Sequence, residues 1–134
     1  MLDLKALLAK ILDALNRTLL WTNPNPNAVF AAQSITLNGV RDTYDFLEIE
    51  YLATTTQNVT TGFKKIERFP VNSSSVASIV LWTSNWFILH RATWWISNND
   101  LYFDNGVYNS MVNPSTQGTG NDNMIPYKIY GIKL

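Results

Sequence analysis

The sequence predicts a mainly β protein: an antiparallel β-sandwich or jelly-roll-like head, preceded by a short amphipathic helix at the N-terminus that bundles with its copies. Three observations lead there. The opening stretch, MLDLKALLAKILDALNRTLL, carries apolar residues at a helical period. From Ala28 onward the apolar residues fall in short runs, several alternating with period two, separated by Asn-, Ser- and Gly-rich turns. Aromatic residues, Asn, Thr and Ser are abundant, a mixture typical of β-rich surfaces.

The helix is expected over residues 1–20. At 100° per residue, Leu4, Leu8, Ile11 and Leu15 fall in one line, Leu7 and Leu12 flank it, and Leu19 extends it. Asp3, Lys5, Lys10, Asp13, Asn16 and Arg17 occupy the opposite arc. Asp3 suits an N-cap or first-turn acid. Asp13 and Arg17 are spaced for a supporting ion pair. Pro24 and Pro26 forbid continuation, so the helix should stop near Thr18 to Leu20. A helix this short is marginal in water, and its apolar face must be buried on its own head or on other copies. In a heptad, Leu8 and Leu15 take position a, Leu4 and Ile11 position d, and Leu7 and Leu12 positions g and e. That stripe is wider than a two-stranded seam needs and suits three or more helices, or a helix lying on a domain. Leu4, Leu7, Leu8, Ile11, Leu12 and Leu15 are therefore the expected oligomer interface. The polar face mixes both signs of charge, which does not suit a membrane surface.

Residues 21–27 (WTNPNPN) are expected to be a linker stiffened by two prolines. Residues 28–134 form the expected head. Ala28 to Leu37 reads as a strand ending at the Asn38-Gly39 turn. From Tyr44, YDFLEIEYLATTT alternates: Leu47, Ile49 and Tyr51 point one way, Phe46, Glu48 and Glu50 the other. Two carboxylates on one strand face admit an acid–base reading, but a solvated strand face accounts for them. Gly62 to Val71 reads as an edge strand because of Pro70 and its basic residues. Ser73 to Ser75 is a loop, and Val76 to Trp82 is an apolar run of buried-strand length. Trp86 to Ser97 is the most aromatic strand. Asn98 to Asp100 turns into LYFDNG, with Leu101 and Phe103 on one face. Tyr108 to Asp122 reads as a long loop, and IPYKIYGIK closes the chain with Ile125, Tyr127 and Ile129 on one face. Gly131 breaks that alternation and marks a bulge or a close backbone approach.

The 134 residues amount to one domain with the helix as an appendage. The formal net charge is zero and only 15% of residues are charged, with no basic stripe, so nucleic acid is not an expected partner. No window has transmembrane length, and charges interrupt every candidate signal-peptide core, so membrane insertion is not expected and synthesis in a cytoplasm is. No cysteine is present to form a disulfide or thiolate site. His90 is the only histidine, and no cluster has metal-ligand spacing. The Asn and Asp clusters at Asn98 to Asp100, Asp104 and Asn121 to Asn123 miss the EF-hand pattern and read as turns. Neither G-x-S-x-G nor a phosphate-binding glycine motif occurs. Neither cofactor, metal nor enzymatic activity is expected.

The functional-looking excess is aromatic: Trp82, Trp86, Trp94, Trp95, Tyr102 and Tyr108 lie in one stretch. Aromatic rings stack on sugar faces, while Asn, Asp and Ser pair with hydroxyls. Trp82 and Trp94 are expected in the core or at a subunit interface. Trp86, at a turn, is the better candidate for exposure. The candidate glycan contacts are Trp86, Tyr108, Asn109, Asn121 and Asp122.

Four segments, WTNPNPNAVFAAQSITL, YDFLEIEY, RATWWISNNDLYFDNG and NDNMIPYKIYGIKL, resemble the small β-rich head domains of tail and fibre proteins of tailed bacteriophages. Together they span most of Trp21 to Leu134, and the closing motif is the most specific. The resemblance implies a virion component made in the bacterial host cytoplasm: a trimeric fibre or spike in contact with other virion proteins of capsid or tail, with a head facing the host surface or its glycans. It brings no catalytic residues. A capsid-attached head fibre or decoration protein without a receptor role, or a free-standing carbohydrate-binding module, is the alternative expectation.

Overall fold

Helix α1 spans Leu4–Asn16, and Asp3 caps it by accepting the Lys5 and Ala6 amides at 3.1 and 3.2 Å. The structure, a computed structural model, describes residues 3–53, 63–82, 86–112 and 117–134, with the side chains at 13–15, 63, 81–82 and 86–87 outside that description. The remaining elements are β1 (Arg17–Thr22), β2 (Gln33–Thr36), the single turn α2 (Val40–Thr43), β3 (Phe46–Ala53), β4 (Phe63–Pro70) and β5 (Ser75–Trp82). They are followed by β6 (Trp86–Trp95), β7 (Asp100–Phe103), β8 (Val107–Ser110), β9 (Gln117–Thr119) and β10 (Ile125–Ile132).

The helix is shorter than expected, and the prolines are not what ends it. Arg17 to Thr22 extends as β1 along β10, from Arg17 opposite Ile132 to Thr22 opposite Lys128, with a bulge between Leu19 and Trp21. Pairing with an edge of a sheet outweighs the weak helical preference of Thr18, Trp21 and Thr22. The expected linker at 21–27 is likewise bound to the head. Trp21 and Thr22 belong to β1, and Asn23 is buried, donating to the Pro126 carbonyl and accepting the Asn25 amide, both at 2.8 Å.

Two antiparallel sheets make a β-sandwich-like head. The first has the order β1-β10-β3-β4. In the second, β6 pairs on one edge with β5 and on the other with β7 and β8, which carry β2 and β9 outside them. The pairing register steps by one residue between Thr93–Phe103 and His90–Val107, so β7 and β8 are one strand interrupted by a bulge at Asp104 to Gly106. The expected strand from Ala28 to Leu37 is confined to β2. The expected loop from Tyr108 to Asp122 is entered by β8 and carries β9.

The core lies between the sheets. Leu47, Ile49 and Tyr51 of β3 meet Leu89 of β6, Leu101 and Phe103 of β7 and Ile129 of β10, all fully buried. A run of edge-to-face rings crosses it: Trp21 to Phe30 at 6.2 Å, Phe30 to Phe103 at 5.7 Å and Phe103 to Tyr51 at 6.4 Å. Burial pushes the Tyr51 phenol well above its ordinary pKa, so it stays neutral.

Three expectations about strand faces are corrected. The second face of β3 is not solvated: Glu48 is 5% exposed and Glu50 8%. β3 is a central strand, and long neighbouring side chains close over these carboxylates. Glu48 binds Arg17 at 2.7 Å and Arg68 at 2.8 Å, and Arg17 lies 3.6 Å over the Tyr130 ring. Glu50 binds Lys64 at 3.0 Å and holds the ammonium pKa above its ordinary value. β5, expected to be buried, is a half-exposed edge strand, with Ala77 inward and Val76 and Val80 outward. In β10 a bulge between Pro126 and Lys128 breaks the alternation. Ile129 lies opposite Ile49 on the core face, whereas Ile125 lies opposite Leu52 on the other. Gly131 marks a close approach, since a Cβ there would stand 2.6 Å from the Tyr44 ring.

The most buried charge in the core is Arg91, fully enclosed on β6. Its guanidinium donates to the backbone carbonyls of Met124 at 2.8 Å, Asp104 at 2.6 Å and Asn123 at 3.1 Å. Burial lowers its pKa to about 10, which leaves it charged at neutral pH. Gly106 is required beside it, because a Cβ there would come within 2.9 Å of a guanidinium nitrogen and closer still to the Gly120 and Asn123 carbonyls.

Two measurements test this account. Arg91→Met strands the buried carbonyls of Met124 and Asn123 and the part-buried one of Asp104, and should cost about 3–5 kcal/mol in urea unfolding. A loss under about 1 kcal/mol would mean that water replaces the guanidinium. Ile129→Ala should cost roughly 2–5 kcal/mol, and deleting Ile125 to Leu134 should abolish the cooperative melt and the near-ultraviolet circular dichroism of the head.

Candidate functional site

Three surface features stand out among the described residues: the apolar stripe of α1, the outer face of the second sheet, and a cleft at the edge of the sandwich. On α1, Leu4 is 71% exposed, Leu8 56%, Ile11 46%, Leu12 49% and Leu7 39%. The stripe therefore does not lie on the head, as one option allowed. Leu15, the remaining expected interface residue, has its side chain outside the described residues. The root of the helix is fixed, because Arg17 begins β1 and its guanidinium is clamped between Glu48 and the Tyr130 ring.

The outer face of the second sheet carries Trp94, which is 37% exposed and thus not in the core, beside Tyr102, with ring centres 4.9 Å apart. His90 stands on the same face, opposite Ser78 on β5 and Val107 on β8. Trp95 takes the opposite direction. It packs against the core, donates its indole N–H to the Val71 carbonyl at 2.6 Å and lies under Arg41. Among the described residues no three His, Cys, Asp or Glu side chains converge as a metal site would require.

Of the expected glycan contacts, the side chains of Tyr108, Asn109, Asn121 and Asp122 fall within the described residues. Trp86 begins β6 opposite Trp82, and its side chain lies outside the described residues. Tyr108 is half-buried and packs against the buried cluster, its ring close over the backbone of Gly118 and Gly120. Asn109, half-buried, pairs with Ile88. Asn121 stitches the corner, its Oδ1 accepting the Gly106 amide and its Nδ2 donating to Asn105, both at 3.0 Å. Asp122 is half-buried next to it in the turn before β10.

The cleft was not anticipated. It has a volume of about 330 Å³ and opens between the edge strands β1 and β2, with the segment from Asn23 to Phe30 as its wall. Trp21, Asn25, Val29, Phe30, Gln33 and Ser34 contribute to its lining. Its signal in the sequence was the pair of aromatics, Trp21 and Phe30, on either side of the Asn-Pro repeat. That repeat reads locally as a linker, and only the ring contact across it makes a wall. Comparisons with protein-family models, with curated proteins and with solved structures give no match to this chain.

The packing of Tyr108 against the core has a measurable consequence. Tyr108→Ala should lower the stability of the head by about 2 kcal/mol through lost apolar burial, visible as a reduced melting temperature. An unchanged melt would return Tyr108 to the surface.

Proposed function

We propose that this chain is a non-enzymatic structural and adhesive protein of a tailed-phage virion: a small fibre or spike, trimeric through α1, whose β head contacts the host surface or its glycans. The observation that carries the reading is the apolar stripe of α1, which has no cover among the described residues. A 13-residue helix with such a face is not stable alone in water, and a parallel bundle of three buries a stripe of this width. Such a bundle would set the heads side by side around its axis, an arrangement that suits multivalent attachment to a surface carrying repeated ligands. The resemblance of the strand segments to phage head domains supports the virion setting.

Sedimentation velocity tests the assembly. The wild type should run as a trimer at micromolar concentration. Leu8→Asp with Ile11→Asp should run as a monomer while the circular dichroism of the head is retained, since each charge placed in the seam costs several kcal/mol. A monomeric wild type would sink the reading.

A further inference from the structure

We propose that the cleft between β1 and β2 is a binding site for a neutral saccharide. The proposal rests on the adhesive reading above and gives it a place and a ligand class. Among the described residues both flanking strands are edges, each paired with a strand on one side only. Because Gln33, Ser34 and Ile35 line the cleft consecutively, it is the edge of β2, not one of its faces, that borders the space. Backbone amides of a free edge are hydrogen-bonding groups awaiting partners.

The side chains narrow the chemistry. Trp21 is half-buried and held edge-on by Phe30, 6.2 Å away at 76°, and Phe30 is itself locked against Phe103. The indole is thus oriented before any ligand arrives, so little ordering is lost on binding. Val29, exposed on the rim, adds a second apolar surface. Asn25 and Ser34 present an exposed carboxamide and hydroxyl, while Gln33 turns its Nε2 to the Ala31 carbonyl at 3.2 Å and keeps its amide oxygen as an acceptor. Among the described residues, none that lines the cleft is charged. An ion entering here would lose hydration without gaining a countercharge, which is strongly unfavourable. A sugar ring meets all of these conditions: a C–H face for the indole, a rim of hydroxyls for amides and Ser34, and no net charge. The volume is at the small end for ligand sites, which fits a terminal sugar better than a long chain.

The test follows side-chain amide and indole resonances of isotope-labelled full-length protein. Methyl glycosides of glucose, galactose, rhamnose and N-acetylglucosamine are added in turn, with N-acetylneuraminic acid and adenosine as charged and planar comparators. At least one neutral glycoside should shift the Trp21 indole and the Asn25 and Gln33 amides. Asn25→Ala with Gln33→Ala, at exposed positions that leave the fold intact, should weaken that binding about tenfold or more. No shift at these groups with any neutral glycoside, equal binding by the double variant, or preference for either comparator would overturn the proposal. Adhesion of wild type and double variant to a panel of bacterial strains separates the two readings. Equal adhesion by both removes the cleft and keeps the adhesive function. No adhesion by the wild type, with the glycoside shifts present, removes the adhesive function and keeps the cleft.

Discussion

A buried guanidinium holds the head together at its least regular point. Arg91 stands in the middle of β6, where its neighbours Leu89 and Thr93 are also fully buried. It is solvated by three carbonyls drawn from two separate corners, the bulge after β7 and the turn before β10. Neither corner has enough regular pairing of its own to define its path. The charge supplies what the ladders lack: five donors in a rigid fork that reach carbonyls the sheets leave unpaired. The corner before β10 matters most, because β10 then runs into the first sheet between β1 and β3. One arginine in the second sheet thereby helps to place the closing strand of the first.

The outer face of that first sheet follows a different rule. Here the carboxylates of β3 are covered by cations from both flanks, and the pairing of Glu48 with Arg17 and Arg68 spans all four strands of the sheet. Arg17 is also the residue at which helix becomes strand. The same side chain therefore closes the electrostatic account of the sheet and fixes the root of α1. This arrangement gives the helix a rigid base while leaving its apolar stripe in the open.

The cleft arises from the same economy of edges. A sandwich with β4 leading into β5 on one side leaves β1 and β2 as edges of the two sheets. The chain between them, rich in Asn and Pro, is short and is pinned by Asn23 to β10. It arches over the edge without filling it. Phe30 enters the core at the far end of the arch and Trp21 remains at its mouth, so a wall of the cleft is an extension of the core's aromatic run.

The sequence by itself determined the class of the fold, the helical period of the N-terminus with its Asp3 cap, and the inward face of Leu47, Ile49 and Tyr51. These are properties of residues a few positions apart, and local stereochemistry states them directly. Where the helix ended, which side of Glu48 and Glu50 met water, and on which side of its sheet Tyr108 lay depended on the strands that came alongside, and no local pattern carries that information. Arg91 is the clearest case. An arginine in mid-strand reads as a solvent-facing residue, and only three carbonyls from distant corners make its burial possible. The cleft was hidden for the same reason. Trp21, Phe30 and Gln33 become one site only when two sheet edges face each other, and that juxtaposition is a property of the tertiary structure alone.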